Sequence, residues 1–230
     1  MKHIGIVAVS AEGAALCYRT ICLEGTELLG PHTHPEVSLH CFPLSSYQTL
    51  MDQGCWGAVG ERLLESAVRL VRAGAALLIC PDNTVHQGFD LVRERSPLPW
   101  LHIADEVVTE ARRRNFKRLA ILGTRFLMEG PVYPSKLQPA SIESRVPDTQ
   151  QRQLINQIIY DELVCGRMLP ESRVYFHQVI GQLASDGCDA VALACTEIPL
   201  LISEADSPLP ILDSTRILAR AALRAALAEK

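Results

Sequence analysis

Residues 187–200, GCDAVALACTEIPL, contain an uninterrupted apolar run, residues 190–194, that leads directly to Cys195. The run is too short for most helices and has no polar alternation, so it predicts a buried central strand whose carboxyl end carries the thiol. Thr196 and Glu197 follow, and they predict a turn into a helix whose first N–H groups and positive dipole end would favour an anion. Open α/β sheets bind ligands at this edge, so Cys195 is a candidate site residue.

A second stretch, residues 74–86 (GAALLICPDNTVH), has the same order of a glycine, a short apolar run and a polar turn. Asp82 lies eight residues after Gly74 and Cys195 lies eight residues after Gly187, so the offset between the two positions is 113 (195 − 82). We interpret this offset as a distant internal duplication. If the two halves face each other, Asp82 and Cys195 enter a common cleft from opposite sides.

The composition is that of a globular protein, because 48% of the residues are hydrophobic and can form a core. A length of 230 residues fits one large or two small domains. The formal net charge is −4, and the basic run at residues 112–114 predicts the solvated end of a helix, so no nucleic-acid partner is expected. Apolar runs are too short for a signal peptide or a membrane span, which predicts a cytoplasmic protein without a membrane partner. The eight cysteines form no C-x-x-C pairs, and no metal site is expected.

Strand-like and helix-like segments alternate along the chain, as in a parallel α/β sheet. The predicted strands are residues 4–9, 37–42, 77–79, 118–123, 190–194 and 210–213. The predicted helices are residues 14–23, 60–74, 84–95, 102–114, 150–165, one that starts near 171, and 214–228, whereas residues 43–48 and 124–134 are predicted loops. We therefore expect an α/β fold of two pseudo-symmetric lobes, each a mostly parallel sheet flanked by helices, with the active site in the cleft between them. The expected lobes are residues 1–100 plus 206–230, and residues 101–205.

Four motifs, in this order along the chain, resemble the cofactor-independent aspartate/glutamate racemase superfamily (Asp/Glu/hydantoin racemases). They are residues 83–86 (NTVH), 122–129 (LGTRFLME), 195–199 (CTEIP) and 213–215 (DST), and the resemblance extends over nearly the whole chain. It implies two pseudo-symmetric α/β domains with the active site between them, a homodimer, and catalysis without pyridoxal phosphate or another cofactor.

The chain departs from the family at one catalytic position. In the family the residue before Asn-Thr is a cysteine, and two cysteines on opposite faces of the amino acid's α-carbon exchange its proton; here that residue is Asp82. A carboxylate can remove or deliver a proton, so Cys195 and Asp82 are the candidate catalytic pair. Two alternatives remain: Asp82 only caps the following helix, or Cys80 replaces the missing thiol, although Cys80 should lie deeper in the core.

Several polar residues near the strand ends are candidate substrate-binding groups. Asn83, Thr84 and Thr196 offer hydroxyl, amide and backbone N–H donors that could clasp a carboxylate, as the resemblance suggests, or they could serve only turn and cap chemistry. Thr124 fits an anion-binding turn or a plain helix cap, and the resemblance favours the anion-binding turn.

Three further candidates depend less on the motifs. Ser10 follows the first strand, where many relatives carry a loop with glycine and methionine, and this difference affects substrate recognition. Gln48 and, more weakly, Arg167 could contact a distal carboxylate of the substrate.

Three classes of function fit these residues. The first is racemisation or epimerisation of an acidic amino acid of the aspartate or glutamate type, with Cys195 and Asp82 as opposed acid/base groups. The second is a one-base decarboxylation or isomerisation of a small dicarboxylic acid, in which Cys195 donates the proton. The third is a non-catalytic binder of a small acid. An ionised, buried Asp82 would repel the carboxylate-rich substrate of the second class, so racemisation is favoured.

Overall fold

The computed structural model describes residues 1–228, except the side chain of Asp206. The strands are β1 (Ile4–Ala8), β2 (Val37–Cys41), β3 (Leu77–Ile79), β4 (Trp100–Leu101), β5 (Arg118–Leu122), β6 (Glu143–Arg145), β7 (Ala190–Leu193) and β8 (Ile211–Asp213). The helices are α1 (Ala11–Leu29), α2 (Leu44–Asp52), α3 (Trp56–Arg72), α4 (Phe89–Arg95), α5 (Ile103–Arg113), α6 (Arg125–Glu129), α7 (Pro134–Leu137), α8 (Thr149–Asp161), α9 (Pro170–Ser185), α10 (Ile198–Leu201) and α11 (Ser214–Leu227). Within the described range, none of these helices has the length and apolar character needed to span a membrane.

The strands form two four-stranded sheets in which every adjacent pair is parallel. The first sheet has the order β2-β1-β3-β4 and the second has the order β6-β5-β7-β8, so both place their strands in the same relative order. This arrangement confirms the predicted α/β fold with two parallel sheets flanked by helices. The shared strand order is also what an internal duplication would produce.

The chain divides into two compact units: the N-terminal unit, residues 1–106 with those from Thr215 onward, and the C-terminal unit, Val107–Ser214. These bounds differ by a few residues from the expected lobes, residues 1–100 plus 206–230 and residues 101–205. The difference arises because α5 begins within the N-terminal unit, and because β8 pairs with β7 and so belongs to the C-terminal sheet.

Each unit has its own apolar core beneath its sheet. In the N-terminal unit Ile6, Ile79 and Leu218 are fully buried, and in the C-terminal unit Phe176 and Leu193 are fully buried. Burying one such side chain stabilises the fold by about 1.5–3 kcal/mol. The strands β3 and β7 are buried along their whole length, as their uninterrupted apolar sequences predict for central strands.

Two predicted loops are wrong. Residues 43–48 contain the start of α2, whose buried residues Tyr47 and Met51 are one helical turn apart, a short amphipathic pattern hidden by Pro43 and the following serines. Residues 124–134 contain α6, which begins after the helix cap Thr124. Residues 84–95 are helical as predicted, but their first part, Thr84–Gly88, is a 3-10 helix rather than an α-helix.

Candidate active site

Cys195 lies just beyond β7, a central strand of the C-terminal sheet. The Ala194 N–H donates to the Leu122 carbonyl at 2.7 Å, so the pairing with β5 continues one residue past the strand. The Cys195 carbonyl accepts the Ile198 N–H at 3.1 Å, which turns the chain into α10. The thiol therefore lies at the carboxyl edge of the sheet and is 8% exposed.

The immediate partner of the thiol is a carboxylate. Cys195 Sγ donates to Glu197 Oε2 at 3.0 Å, and Thr196 Oγ1 donates to the same oxygen at 3.2 Å. Glu197 is only 2% exposed, so these contacts lie in a largely water-free environment. A carboxylate in this position can take the thiol proton when a thiolate is needed and return it afterwards.

Glu197 is not among the site residues predicted from the sequence, although it belongs to the Cys-Thr-Glu motif. The Cys-Thr-Glu order suggested the first turn of a helix, with an anion favoured by the helix dipole. In the structure α10 contains only four residues, too few for a substantial dipole. The predicted helix-terminus effect is therefore replaced by direct side-chain chemistry between Cys195 and Glu197.

Thr124 lies at the end of the neighbouring strand β5. A Cβ on Gly123 would lie 2.9 Å from the Ala194 oxygen, so the turn after β5 approaches the backbone just before Cys195 as closely as only glycine allows. Thr124 Oγ1 accepts the Leu127 N–H at 3.2 Å, and Asn156 Oδ1 accepts the Arg125 N–H at 2.8 Å. Because these two N–H groups are already bonded, the contacts of Thr124 fit a helix cap better than an anion-binding turn.

Asp82 lies at the carboxyl edge of the N-terminal sheet, after β3. It is half-buried, and its Oδ1 accepts the Val85 N–H at 3.1 Å, the contact expected of a helix cap. The backbone that follows is held tightly, because a Cβ on Gly88 would lie 2.5 Å from the Trp56 oxygen of α3. Asn83 and Thr84 are buried beside Asp82.

His86 fixes the turn that carries Asp82. Its Nδ1 bonds the Asp82 carbonyl at 2.6 Å, and its Nε2 accepts the Ile103 N–H at 3.5 Å. Since a backbone N–H can only donate and a carbonyl can only accept, these contacts require a neutral ring with its proton on Nδ1. His86 is therefore a structural hydrogen-bonding residue that links the Asp82 turn to the start of α5.

Cys80 is a poor substitute for the missing thiol. Its side chain is fully buried, and this burial raises the pKa of the Cys80 thiol well above its ordinary value, with the Asp82 charge acting in the same direction. A thiol that ionises so reluctantly is an inefficient proton carrier near neutral pH.

The remaining candidates differ in their contacts. Ser10 is buried and precedes α1, and its side chain makes no cap hydrogen bond to that helix. Gln48 lies on α2 and donates one of its two amide N–H groups to Asp52 Oδ1 at 2.8 Å. Arg167 donates to the Asp161 carbonyl at the surface.

Over residues 1–228 the structure contains no cluster of three or more His, Cys, Asp or Glu side chains that could hold a metal ion.

Comparisons with known proteins agree on one family. Residues 8–222 match the family model described as Asp/Glu/Hydantoin racemase. The chain is 26% identical over 168 residues to the broad specificity amino-acid racemase RacX of Bacillus subtilis (strain 168), covering 73% of this chain and 72% of RacX.

Two crystal structures resemble nearly the whole chain. One, a protein from Yersinia pestis classed with the Asp/Glu racemases, is 32% identical with a TM-score of 0.89, covering 99% of this chain and 100% of its own. The other, an aspartate racemase homologue from Pyrococcus horikoshii OT3, is 27% identical with a TM-score of 0.85 and the same coverage. The match of the family model to residues 8–222, together with these two structures, shows that the chain belongs to the Asp/Glu/hydantoin racemase family.

Proposed function

We propose that the protein racemises an acidic amino acid of the aspartate or glutamate type, without a cofactor, by proton transfer between Cys195 and Asp82. Family membership makes the chain an isomerase of the amino-acid racemase class. The observation that carries the proposal is the buried Cys195 thiol donating to the Glu197 carboxylate at 3.0 Å, at the carboxyl edge of a central strand. The Cys195 thiol thus has a proton acceptor beside it, at the edge of the sheet where α/β proteins bind ligands.

The chemistry at Cys195 begins with transfer of the thiol proton to Glu197. The resulting thiolate removes the α-proton of the amino acid, so the C–H bond breaks, an S–H bond forms, and the electron pair remains on the substrate as a carbanion. In the opposite direction the Cys195 thiol delivers its proton to the carbanion and recovers one from Glu197. Positioned acid/base groups of this kind typically contribute about 10²–10⁴-fold to a rate.

Asp82 serves the other face of the α-carbon in this proposal. Protonated, it delivers a proton to the carbanion formed by Cys195; ionised, it removes the proton from the opposite antipode. Its hydrogen bond from the Val85 N–H, at 3.1 Å, holds the carboxyl group in a defined orientation. A carboxylic acid and a thiol differ in intrinsic acidity, so the two directions should differ in rate.

The substrate carboxylates need hydrogen-bond donors at the same edges. We assign this role to Asn83, Thr84, Thr196 and Ser10, which are buried at the ends of the strands. The proposal keeps Thr124 and Gln48 as candidates, because the bond that Thr124 accepts and the one that Gln48 donates do not use all of their hydrogen-bonding capacity. We also propose that the ligand is a small acid, that the protein forms a homodimer, and that it is located in the cytoplasm.

One observation favours a second candidate function. The Asp82–Val85 hydrogen bond is the contact of a helix cap, and capping alone would leave Cys195 as the only proton carrier. The protein would then catalyse a one-base reaction of a small dicarboxylic acid, with the Cys195–Glu197 pair protonating the carbanion.

Incubation with D- and L-aspartate and D- and L-glutamate in heavy water tests the proposal. α-Deuterium is read by NMR, and configuration is read by chiral chromatography. Racemisation predicts deuterium in the inverted product from both antipodes. Exchange with retention supports the one-base candidate, and binding of the acid without any exchange would show a non-catalytic binder.

A further inference from the structure

Tyr47 is a buried tyrosine at the start of the N-terminal unit's second helix, α2. Its side chain is 0% exposed, and its hydroxyl has no hydrogen-bond partner of normal length and angle within residues 1–228. A weak interaction with the Ser66 hydroxyl lowers the pKa of Tyr47, but it falls short of normal hydrogen-bond geometry, and Ser66 Oγ also bonds His40 Nδ1 at 2.9 Å. The hydroxyl is therefore a buried donor without a settled partner in the protein.

The surroundings place this hydroxyl near the carboxyl edge of the N-terminal sheet. Burial raises the pKa of Tyr47, and the nearby Cys80, Asp82 and Cys41 groups raise it further. Cys41 ends β2, whereas Cys80 and Asp82 follow β3, and β1 lies between these two strands in the sheet. The phenol is therefore within electrostatic range of groups at or just after the carboxyl ends of β2 and β3, Asp82 among them.

A buried hydroxyl without a partner destabilises a fold, and phenylalanine would fill the same volume without that penalty. Native proteins satisfy nearly all such groups, and the exceptions call for an explanation. Asp82 itself is half-buried, so part of its side chain is accessible to solvent. The hydrogen bonds of a site often become short and well aligned only when the substrate is bound.

We propose that Tyr47 is a further substrate-positioning residue, whose hydroxyl donates a hydrogen bond to a carboxylate oxygen of the acid bound beside Asp82. This inference rests on the proposed function, since it needs an acidic ligand at the same edge. A phenol is a suitable donor here because it is neutral and rigid, and it binds a carboxylate without bringing a second charge next to Asp82. The residue orients the acid and takes no part in proton transfer.

The test compares Tyr47→Phe with the wild type in three measurements: the thermal unfolding midpoint, the affinity for aspartate by calorimetry, and steady-state racemisation. Tyr18→Phe is the matched control, because Tyr18 is an exposed tyrosine on α1 of the same unit. We expect Tyr47→Phe to unfold at the same or a higher temperature, because no protein hydrogen bond of normal geometry is lost. We also expect its affinity for aspartate and its kcat/KM to fall by about tenfold to a hundredfold, the loss typical of one hydrogen bond to a charged group.

The opposite pattern would overturn the inference: a lower unfolding temperature with unchanged affinity and unchanged kinetics would show that the hydroxyl only supports the fold. Failure of the proposed function gives a different result. If the wild type binds aspartate but exchanges no α-proton, the racemase proposal fails, and the affinity of Tyr47→Phe still decides the role of Tyr47. If the wild type does not bind aspartate at all, both proposals are refuted.

Discussion

Replacing Glu197 with glutamine removes the proton acceptor of Cys195 while keeping the shape of the side chain. In the native protein Glu197 Oε2 receives hydrogen bonds from Cys195 Sγ at 3.0 Å and from Thr196 Oγ1 at 3.2 Å. A glutamine oxygen can accept both bonds but cannot take a proton. The fold should therefore change little in stability, whereas the chemistry at Cys195 loses its internal base.

The expected loss follows from this geometry. Because Glu197 acts through Cys195 rather than on the substrate, we expect the lower end of general acid/base effects, about a 10²-fold fall in kcat or roughly 2.7 kcal/mol. The loss should depend on pH. Near neutral pH the thiol proton has no side-chain acceptor in Glu197→Gln, whereas at alkaline pH hydroxide can remove it, so the defect should shrink.

Polarimetry of D- and L-aspartate between neutral and alkaline pH measures this effect in both directions. Glu143→Gln is the control, since Glu143 is an exposed carboxylate of the same unit that pairs with Arg118 at 2.7 Å. The control should retain wild-type kinetics at every pH. A Glu197→Gln enzyme within threefold of wild type across the pH range would refute the role given to the Cys195–Glu197 pair.

Three further substitutions test other parts of the account. Cys195→Ala should abolish turnover with little change in the circular dichroism spectrum, and turnover within tenfold of wild type would remove Cys195 from the mechanism. Asp82→Cys creates the two-thiol pair that the sequence resemblance implies, and we expect it to keep racemisation in both directions, which polarimetry can follow. Gly123→Ala should lower the free energy of unfolding in urea by about 1–3 kcal/mol because its Cβ would lie 2.9 Å from the Ala194 oxygen. Gly57→Ala, whose added methyl meets no atom within 4 Å, should not lower it.

The central framework of the fold could be predicted from apolar continuity. The fully buried strands β3 and β7 have uninterrupted apolar runs, and such runs are typical of the interior of a parallel sheet. Strand β6, with the sequence ESR, lies at a sheet edge and carries no apolar pattern, so it was not recognised. Helix α2 was missed for the opposite reason, because turn-forming residues conceal its short buried face.

The candidate site shows where sequence reasoning reaches its limit. The positions of Cys195 and Asp82 follow from strand ends, which a pattern can locate. The hydrogen bond between Cys195 and Glu197 depends on side-chain direction after the strand, and the length of α10 depends on local packing, so spacing alone could not predict either. The sequence could not predict the unsatisfied Tyr47 hydroxyl either, because it is defined by the burial of the Tyr47 side chain in the folded protein.

The most direct test of the two-base mechanism compares the wild type with Asp82→Ala on D- and L-aspartate in heavy water. We predict that the wild type incorporates α-deuterium with inversion from both antipodes. Asp82→Ala should lose inversion and retain solvent exchange only in the antipode whose α-proton faces Cys195. If Asp82→Ala inverts both antipodes as fast as the wild type, Asp82 is a helix cap and the proposed Cys195/Asp82 mechanism is wrong.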